Sequence, residues 1–332
     1  MRSVLAVLTT ALASVLALSA CGTTEAPVSP PAAGGPAPSA SASPVTVTDG
    51  RGREVRLDRP ATRVVGLEWG EIEMLVSLGV MPVGAADVKG YGTWVTAAPL
   101  DPSVKDVGTR QEPSVDAIAA LRPDLVVMEA ERNAALVEQL EKFVPVVVTK
   151  GGDAAGGELE RMRADFTLIA AAVGRSDVAA RVLGDFDAAM SAAKDELAAA
   201  GAAGEKFVMA DGWKEGSNVN VRLFGKGALV SDVATRLGLV NAWTGEVDPA
   251  WGLGTTDVEG LTRLKGEDLR FFYNASDGED VFAEGLKDNA IWKSLDFVAR
   301  QRVTRLPDGI WTFGGPLSCR QYAEALVKAF ST

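Results

Sequence analysis

The sequence predicts an α/β protein of two lobes with mainly parallel sheets, bridged by one long α-helix, with a ligand cleft between the lobes. Three observations point there. From Val45 onward, short apolar runs alternate with helical patterns, the order that builds parallel sheets with helical crossovers. One stretch, Gly157 to Val173, stands apart because Leu159, Met162, Phe166, Ile169 and Val173 follow a 3, 4, 3, 4 spacing. That is a single amphipathic stripe near the middle of the folded part. The strand candidates divide into one set before this stripe and one set after it.

The 332 residues are 47% hydrophobic, enough material for roughly two domains of ordinary size. A formal charge of −11 argues against a nucleic-acid partner, since a phosphate backbone selects for clustered Lys and Arg. There is no histidine, which removes the commonest general base and the commonest metal ligand together. A Ser-His-Asp triad, a His-type zinc site and a His-ligated haem are all excluded. The only cysteines are Cys21 and Cys319, so no disulfide framework is expected.

Taken in order, residues 1–20 read as an export signal. Arg2 supplies the charge, and Val4 to Leu18 form an apolar run too short for a comfortable membrane span. The run ends in "LSAC", which resembles a bacterial lipobox, so Cys21 is the expected lipidation site; a plain export signal containing a cysteine is the alternative. Residues 21–44, rich in Pro, Ala, Gly and Ser without an apolar period, read as a disordered linker. An N-terminal lobe is expected over 45–156, the bridging helix over 157–174 and a C-terminal lobe over 175–332. Strands are expected at Val64–Leu67, Pro82–Ala86, Leu125–Met128, Val144–Thr149, Phe207–Ala210, Leu269–Tyr273 and Val303–Leu306.

In "VVGLEWGEIEML" a strand gives way to a helix, with Trp69 in the loop at the changeover. Open α/β sheets bind ligands outside the carboxyl ends of their strands, so Trp69 belongs at a cleft rim. Of the seven tryptophans, only Trp292 sits in an evidently helical context. The others fall in surroundings such as "GYGTW", "DGWKEG", "NAWTGEVDPAWG" and "GIWTFGG", where glycines let the backbone turn and present a flat ring. Arg110, in "DVGTRQEP" before a helix begun by Ser114, offers a fork for paired anionic oxygens. A solvated surface arginine is the alternative.

"RVVGLEWGEIEMLVSLGVMPVGAADVKGYGTWV", "DVGTRQEPSVDAIAALRPDLVV", "GLVNAWTGEVDPAWG" and "WTFGGPLS" occur in this order. Together they resemble the ferric-hydroxamate-siderophore binding proteins of bacterial ABC importers, from about Arg63 to the C-terminus. The resemblance implies two α/β lobes bridged by one helix and capture of a preformed Fe(III)–siderophore complex. The siderophore completes the iron's coordination, so no metal ligand and no cofactor of the protein's own is implied. It also implies that Arg110 forks onto the hydroxamate oxygens while Trp69, Trp94, Trp251, Trp311 and Phe313 form a shallow aromatic cup. One carboxylate per lobe, Asp116 and Glu259, each near a helix start, would dock on the ABC permease. The implied protein is a monomeric receptor rather than an enzyme, extracytoplasmic, and held to the membrane only through the N-terminal lipid.

The chain departs from that pattern in two places. Where such proteins can carry a tyrosine, "VVMEAERNAAL" offers Glu129, Glu131 and Arg132, and Phe313 lacks a tyrosine's hydroxyl. Cobalamin or haem is the alternative cargo; haem would want an axial ligand, and Tyr91 is the obvious loop candidate. A lipid-anchored cell-envelope hydrolase is the alternative from another class, but no nucleophile–base motif stands out. "FGKGAL" is no P-loop and "GLGTTD" no dinucleotide fingerprint. Cys319 reads as a buried small hydrophobe.

Overall fold

A hairpin of β1 (Val45–Thr48) and β2 (Glu54–Leu57) leads into the first lobe. The computed structural model describes residues 43–130 and 134–331; Cys21, Glu131 and Arg132 lie outside the described residues. The first sheet takes β3 (Val64–Gly66), β4 (Gly84–Ala85), β5 (Lys105–Asp106), β6 (Leu125–Glu129) and β7 (Val146–Thr149) in the order β5-β4-β3-β6-β7, all parallel. β6 and β7 read "LVVME" and "VVVT" and are buried at every position. A continuous β-branched run of this kind suits a strand covered on both faces. Helices α1 (Trp69–Ser77), α2 (Val88–Trp94), α3 (Val115–Ala120) and α4 (Ala134–Leu140) complete this half.

The bridging helix, α5, spans Glu158–Ala172. It stops in a Schellman arrangement: Gly174 at φ 66° donates to the Ala171 carbonyl, and Arg175 donates to Ala170 at 2.7 Å. All five residues of its stripe are buried, in a core shared by Val64 and Val127 of the first sheet and Phe207, Phe224 and Phe272 of the second. The expected periodicity thus serves a spine packed against both sheets. Helix α6 (Ser176–Ala199) follows directly.

The second sheet departs from the expected parallel order. β8 (Lys206–Glu215) pairs parallel with β12 (Leu269–Tyr273), which pairs parallel with β13 (Val303–Arg305). On the other side, β9 (Asn218–Phe224) and β11 (Leu253–Thr256) run antiparallel, and short β10 (Val240–Asn241) pairs with the start of β8. β9, "NVNVRLF", alternates polar and apolar residues, and β8 reaches five residues beyond its apolar stretch. Continuous apolar runs were the strand signal, so a half-solvated hairpin escaped it. Its two-residue loop has Gly216 at φ 60° in the first central position, a conformation suited to glycine.

Helices α7 (Leu229–Arg236), α8 (Ala290–Lys293), α9 (Asp296–Ala299) and α10 (Pro316–Phe330) finish the chain. Cys319 lies within α10 and is buried, as expected of a small hydrophobe. Pro316 opens α10, whose N-cap Gly315 offers no side chain. Glu73 of α1 caps it instead: its carboxylate accepts from the N–H groups of Gly315, Leu317 and Ser318 at 2.9, 3.1 and 3.0 Å. Free N–H groups at a helix start need such partners.

Candidate functional site

The carboxyl ends of strands from both halves converge on one cavity of about 590 Å³. Glu68 and Trp69 follow β3, Arg110 follows β5 and Glu129 ends β6; Asn274 follows β12, Trp311 follows β13, and Arg161 comes from the bridging helix. The β8–β9 hairpin adds Asp211, Trp213 and Arg222.

All six residues expected at a ligand site line this cavity: Trp69, Trp94, Arg110, Trp251, Trp311 and Phe313. The aromatics form a connected chain. Trp311 meets Trp69 edge-on with ring centroids 4.8 Å apart, Trp94 at 6.0 Å and Phe313 at 5.3 Å. Phe313 in turn meets Trp251 at 5.6 Å and perpendicular. Such edge-to-face pairs are favourable beyond their buried area, so the cup is held in shape by its own members.

Trp69 is the first residue of α1 rather than a loop residue, and it is buried. Gly70 behind it permits the close fit, because a Cβ there would lie 2.8 Å from the Phe313 carbonyl oxygen. The indole N–H groups of Trp69 and Trp311 are buried without a partner among the described residues.

The Arg110 guanidinium sits 4.2 Å from the Trp69 ring centroid and 5.3 Å from that of Trp311, within cation–π range. One arm of its fork is engaged, Nη2 lying 2.5 Å from Glu68 Oε1, while its Nε is buried without an acceptor among the described residues. The same Glu68 oxygen accepts from the Trp69 N–H at 3.0 Å as N-cap of α1.

Two further guanidiniums line the cavity that the sequence reading did not single out. Arg161 pairs with Glu158 at 2.8 Å and with Asp165 at 2.7 Å, and it lies 5.5 Å from the Trp251 ring centroid. Burial works against its charge, but the Glu158 hydrogen bond and the charges of Glu158, Asp165 and Glu71 outweigh it and raise its pKa. Arg222 donates through Nε to Asp211 at 2.9 Å, its directly paired partner across the hairpin. Burial raises the Asp211 pKa against the pull of Arg222. The Arg161 contacts fall at i−3 and i+4, the spacing of an exposed helical ion pair, so only the packing reveals them as a lining group.

Glu71 is buried and also lines the cavity. Burial first, then the charge of Glu68, pushes its pKa up to about 7, opposed by the Thr149 hydroxyl, which donates to it at 2.5 Å. Glu129, the residue standing where a tyrosine was a possibility, lines the cavity too.

The remaining candidates lie elsewhere. Tyr91 is on α2, fully buried, and donates its hydroxyl to the Ala98 carbonyl at 2.6 Å. It is thus not a loop residue, and it does not line the aromatic cavity. Trp243 and Trp292 belong to a core on the other face of the second sheet. Asp116 is exposed in the first turn of α3, and Glu259 is exposed just before a 3₁₀ turn, Gly260–Leu264, where an α-helix start was expected.

Two α/β lobes joined by a helix, with a preformed aromatic cavity at their strand ends, define a substrate-binding protein. The chain belongs to the periplasmic binding protein family, which it matches over residues 64–309; this is a family of binding proteins, not enzymes. It is 27% identical to the iron(3+)-hydroxamate-binding protein FhuD of Escherichia coli, over 80% of this chain and 86% of that one. It is 26% identical to the probable siderophore-binding lipoprotein YfiY of Bacillus subtilis, over 94% and 93%. Among solved structures, the Fe3+–Desferal-bound siderophore-binding protein FhuD of Vibrio cholerae superposes with a TM-score of 0.72 at 27% identity, covering 81% of this chain and 97% of that one.

Proposed function

We propose that this protein captures an Fe(III)–hydroxamate siderophore outside the cytoplasm and delivers it to an ABC importer. The observation that carries the reading is the cavity. Five connected aromatic rings and a guanidinium on two of them surround a space suited to the apolar shell of a chelate with oxygens at its metal end. The names of the relatives from Escherichia coli and Vibrio cholerae support the cargo class. Iron would enter only inside its chelate, so the protein would need no cofactor.

In this reading Trp69, Trp94, Trp251, Trp311 and Phe313 contact the organic shell, and Arg110 meets the hydroxamate oxygens. Residues 1–20 are removed as a signal peptide, Cys21 carries the lipid, and residues 21–44 tether the lobes at 45–156 and 175–332 joined by 157–174. Asp116 and Glu259, one per lobe and both exposed, meet basic groups on the permease, chiefly steering encounter and orientation. The protein works as a monomer.

The test is a tryptophan-fluorescence titration of the full chain in detergent with ferrioxamine B, ferrichrome, a ferric catecholate, cobalamin and haemin. Saturable quenching by a hydroxamate chelate that weakens in Arg110→Ala supports the reading. A response to one of the other ligands alone would transfer the site to that cargo.

A further inference from the structure

Charge, rather than shape, is the feature of this cavity that its cargo class leaves undecided. Six carboxylates line it: Glu68, Glu71, Glu129, Asp211, Asp277 and Glu279. Three guanidiniums face them, those of Arg110, Arg161 and Arg222. Every one of the three is already matched by a close carboxylate, respectively Glu68, the Glu158–Asp165 pair and Asp211. Among the described residues, therefore, every lining cation already has a carboxylate partner, only the Arg110 Nε keeping a donor without an acceptor, and the exposed rim at Asp277 and Glu279 adds negative charge. Glu279 is itself met by Lys214 at 2.5 Å, but from outside the lining.

A polyanionic chelate entering such a site would need to break an internal ion pair or bury its charge beside carboxylates, and both are costly in a desolvated space. A neutral or cationic chelate meets no such barrier. It can still use the Arg110 face, the aromatic rings and the two unpartnered indole N–H groups.

We propose that this site selects its ferric chelates by charge, taking neutral and cationic complexes and rejecting anionic carboxylate ones, and that Glu68 and Asp211 are the residues that set this preference. Each does so by neutralising an arginine that would otherwise attract an anion. The proposal rests on the reading of the cavity as a ferric-chelate site and narrows it to a charge class.

The experiment compares three probes on the full chain in detergent at low salt: ferric desferrioxamine B, which carries one free ammonium, its neutral N-acetylated form, and anionic ferric dicitrate. The expected result is saturable quenching by both hydroxamates and at least about tenfold weaker binding of ferric dicitrate, the effect of roughly one unbalanced charge. Glu68→Gln keeps an acceptor for the Trp69 N–H while freeing Arg110, and Asp211→Asn frees Arg222. Each should raise the dicitrate affinity and lower that of the ammonium-bearing chelate. Because the two variants lie on separate lobes, poor folding of one leaves the other to decide. Hydroxamate binding with equally tight dicitrate binding, or an unchanged ratio in both folded variants, would overturn the charge preference and leave the proposed function standing. Absence of any response to all three probes in the unmodified protein would overturn the underlying reading as well.

Discussion

Glu73 and Ser318 are 245 residues apart in sequence, yet the Ser318 hydroxyl donates to the Glu73 carboxylate at 2.5 Å, and its N–H donates to the same group at 3.0 Å. With Gly315 and Leu317 added, one fully buried carboxylate closes the start of the last helix from the first helix of the other half. This is a second tie between the halves beside the bridging helix. Glu73→Ala leaves three N–H groups, two of them buried, and the buried Ser318 hydroxyl without an acceptor and should cost about 2–4 kcal/mol. Urea unfolding of wild type and variant measures this, and a loss below about 0.5 kcal/mol would refute the cap.

Two ties of this kind resist wide hinge motion. The lobes are expected to keep nearly the same relative orientation with and without ligand. Paired structures in the two states provide the check, and a large lobe rotation would sink the idea.

The Glu71 carboxyl, raised from an ordinary value of 4.5 to about 7 by burial and by Glu68, makes stability depend on pH. An acid with a raised folded pKa is tolerated when protonated, so stability is intact below about pH 4.5 and falls as pH rises to about 7. The loss tends toward about 3 kcal/mol at most. Glu71→Gln, which keeps an acceptor for Thr149, should remove this slope. Denaturant midpoints at pH 5 and pH 8 measure it, and equal slopes in both proteins would count against the assignment.

The ligand-induced fluorescence change should come from the cup and not from the cores. Trp311 touches three other lining aromatics, whereas Trp292 packs among Phe271, Phe282 and Phe297. Trp311→Phe is expected to remove much of the quenching and weaken chelate binding several-fold, while Trp292→Phe leaves the ligand signal nearly intact. The reverse pattern would relocate the site.

Asp116→Lys and Glu259→Lys change exposed charges away from the cavity. Chelate affinity should therefore hold while iron uptake through the permease falls. Uptake of radiolabelled ferric chelate by cells carrying each variant separates the two, and unchanged uptake in the double variant would remove the docking role.

The sequence by itself determined the α/β class and the bridging helix, each with a local physical cause, while the membership of the aromatic cup was what the family resemblance implied, the glycine-rich surroundings of the tryptophans being its local sign. Buried parallel strands must be continuously apolar, a helix between two cores must carry a long stripe, and glycine-flanked tryptophans stand out against a composition only 6% aromatic. What only the tertiary structure decided were relations between distant charges. Glu68 holding Arg110, Asp211 facing Arg222, Glu73 capping α10 and the buried Arg161 triad each look, in sequence, like ordinary solvated charges. A carboxylate's meaning is set by its burial and by the partner brought to it, and neither is encoded in its neighbours along the chain. The same reason hid the β8–β9 hairpin: its alternating, partly exposed residues become a strand only when the partner strand supplies the other half of the hydrogen bonds.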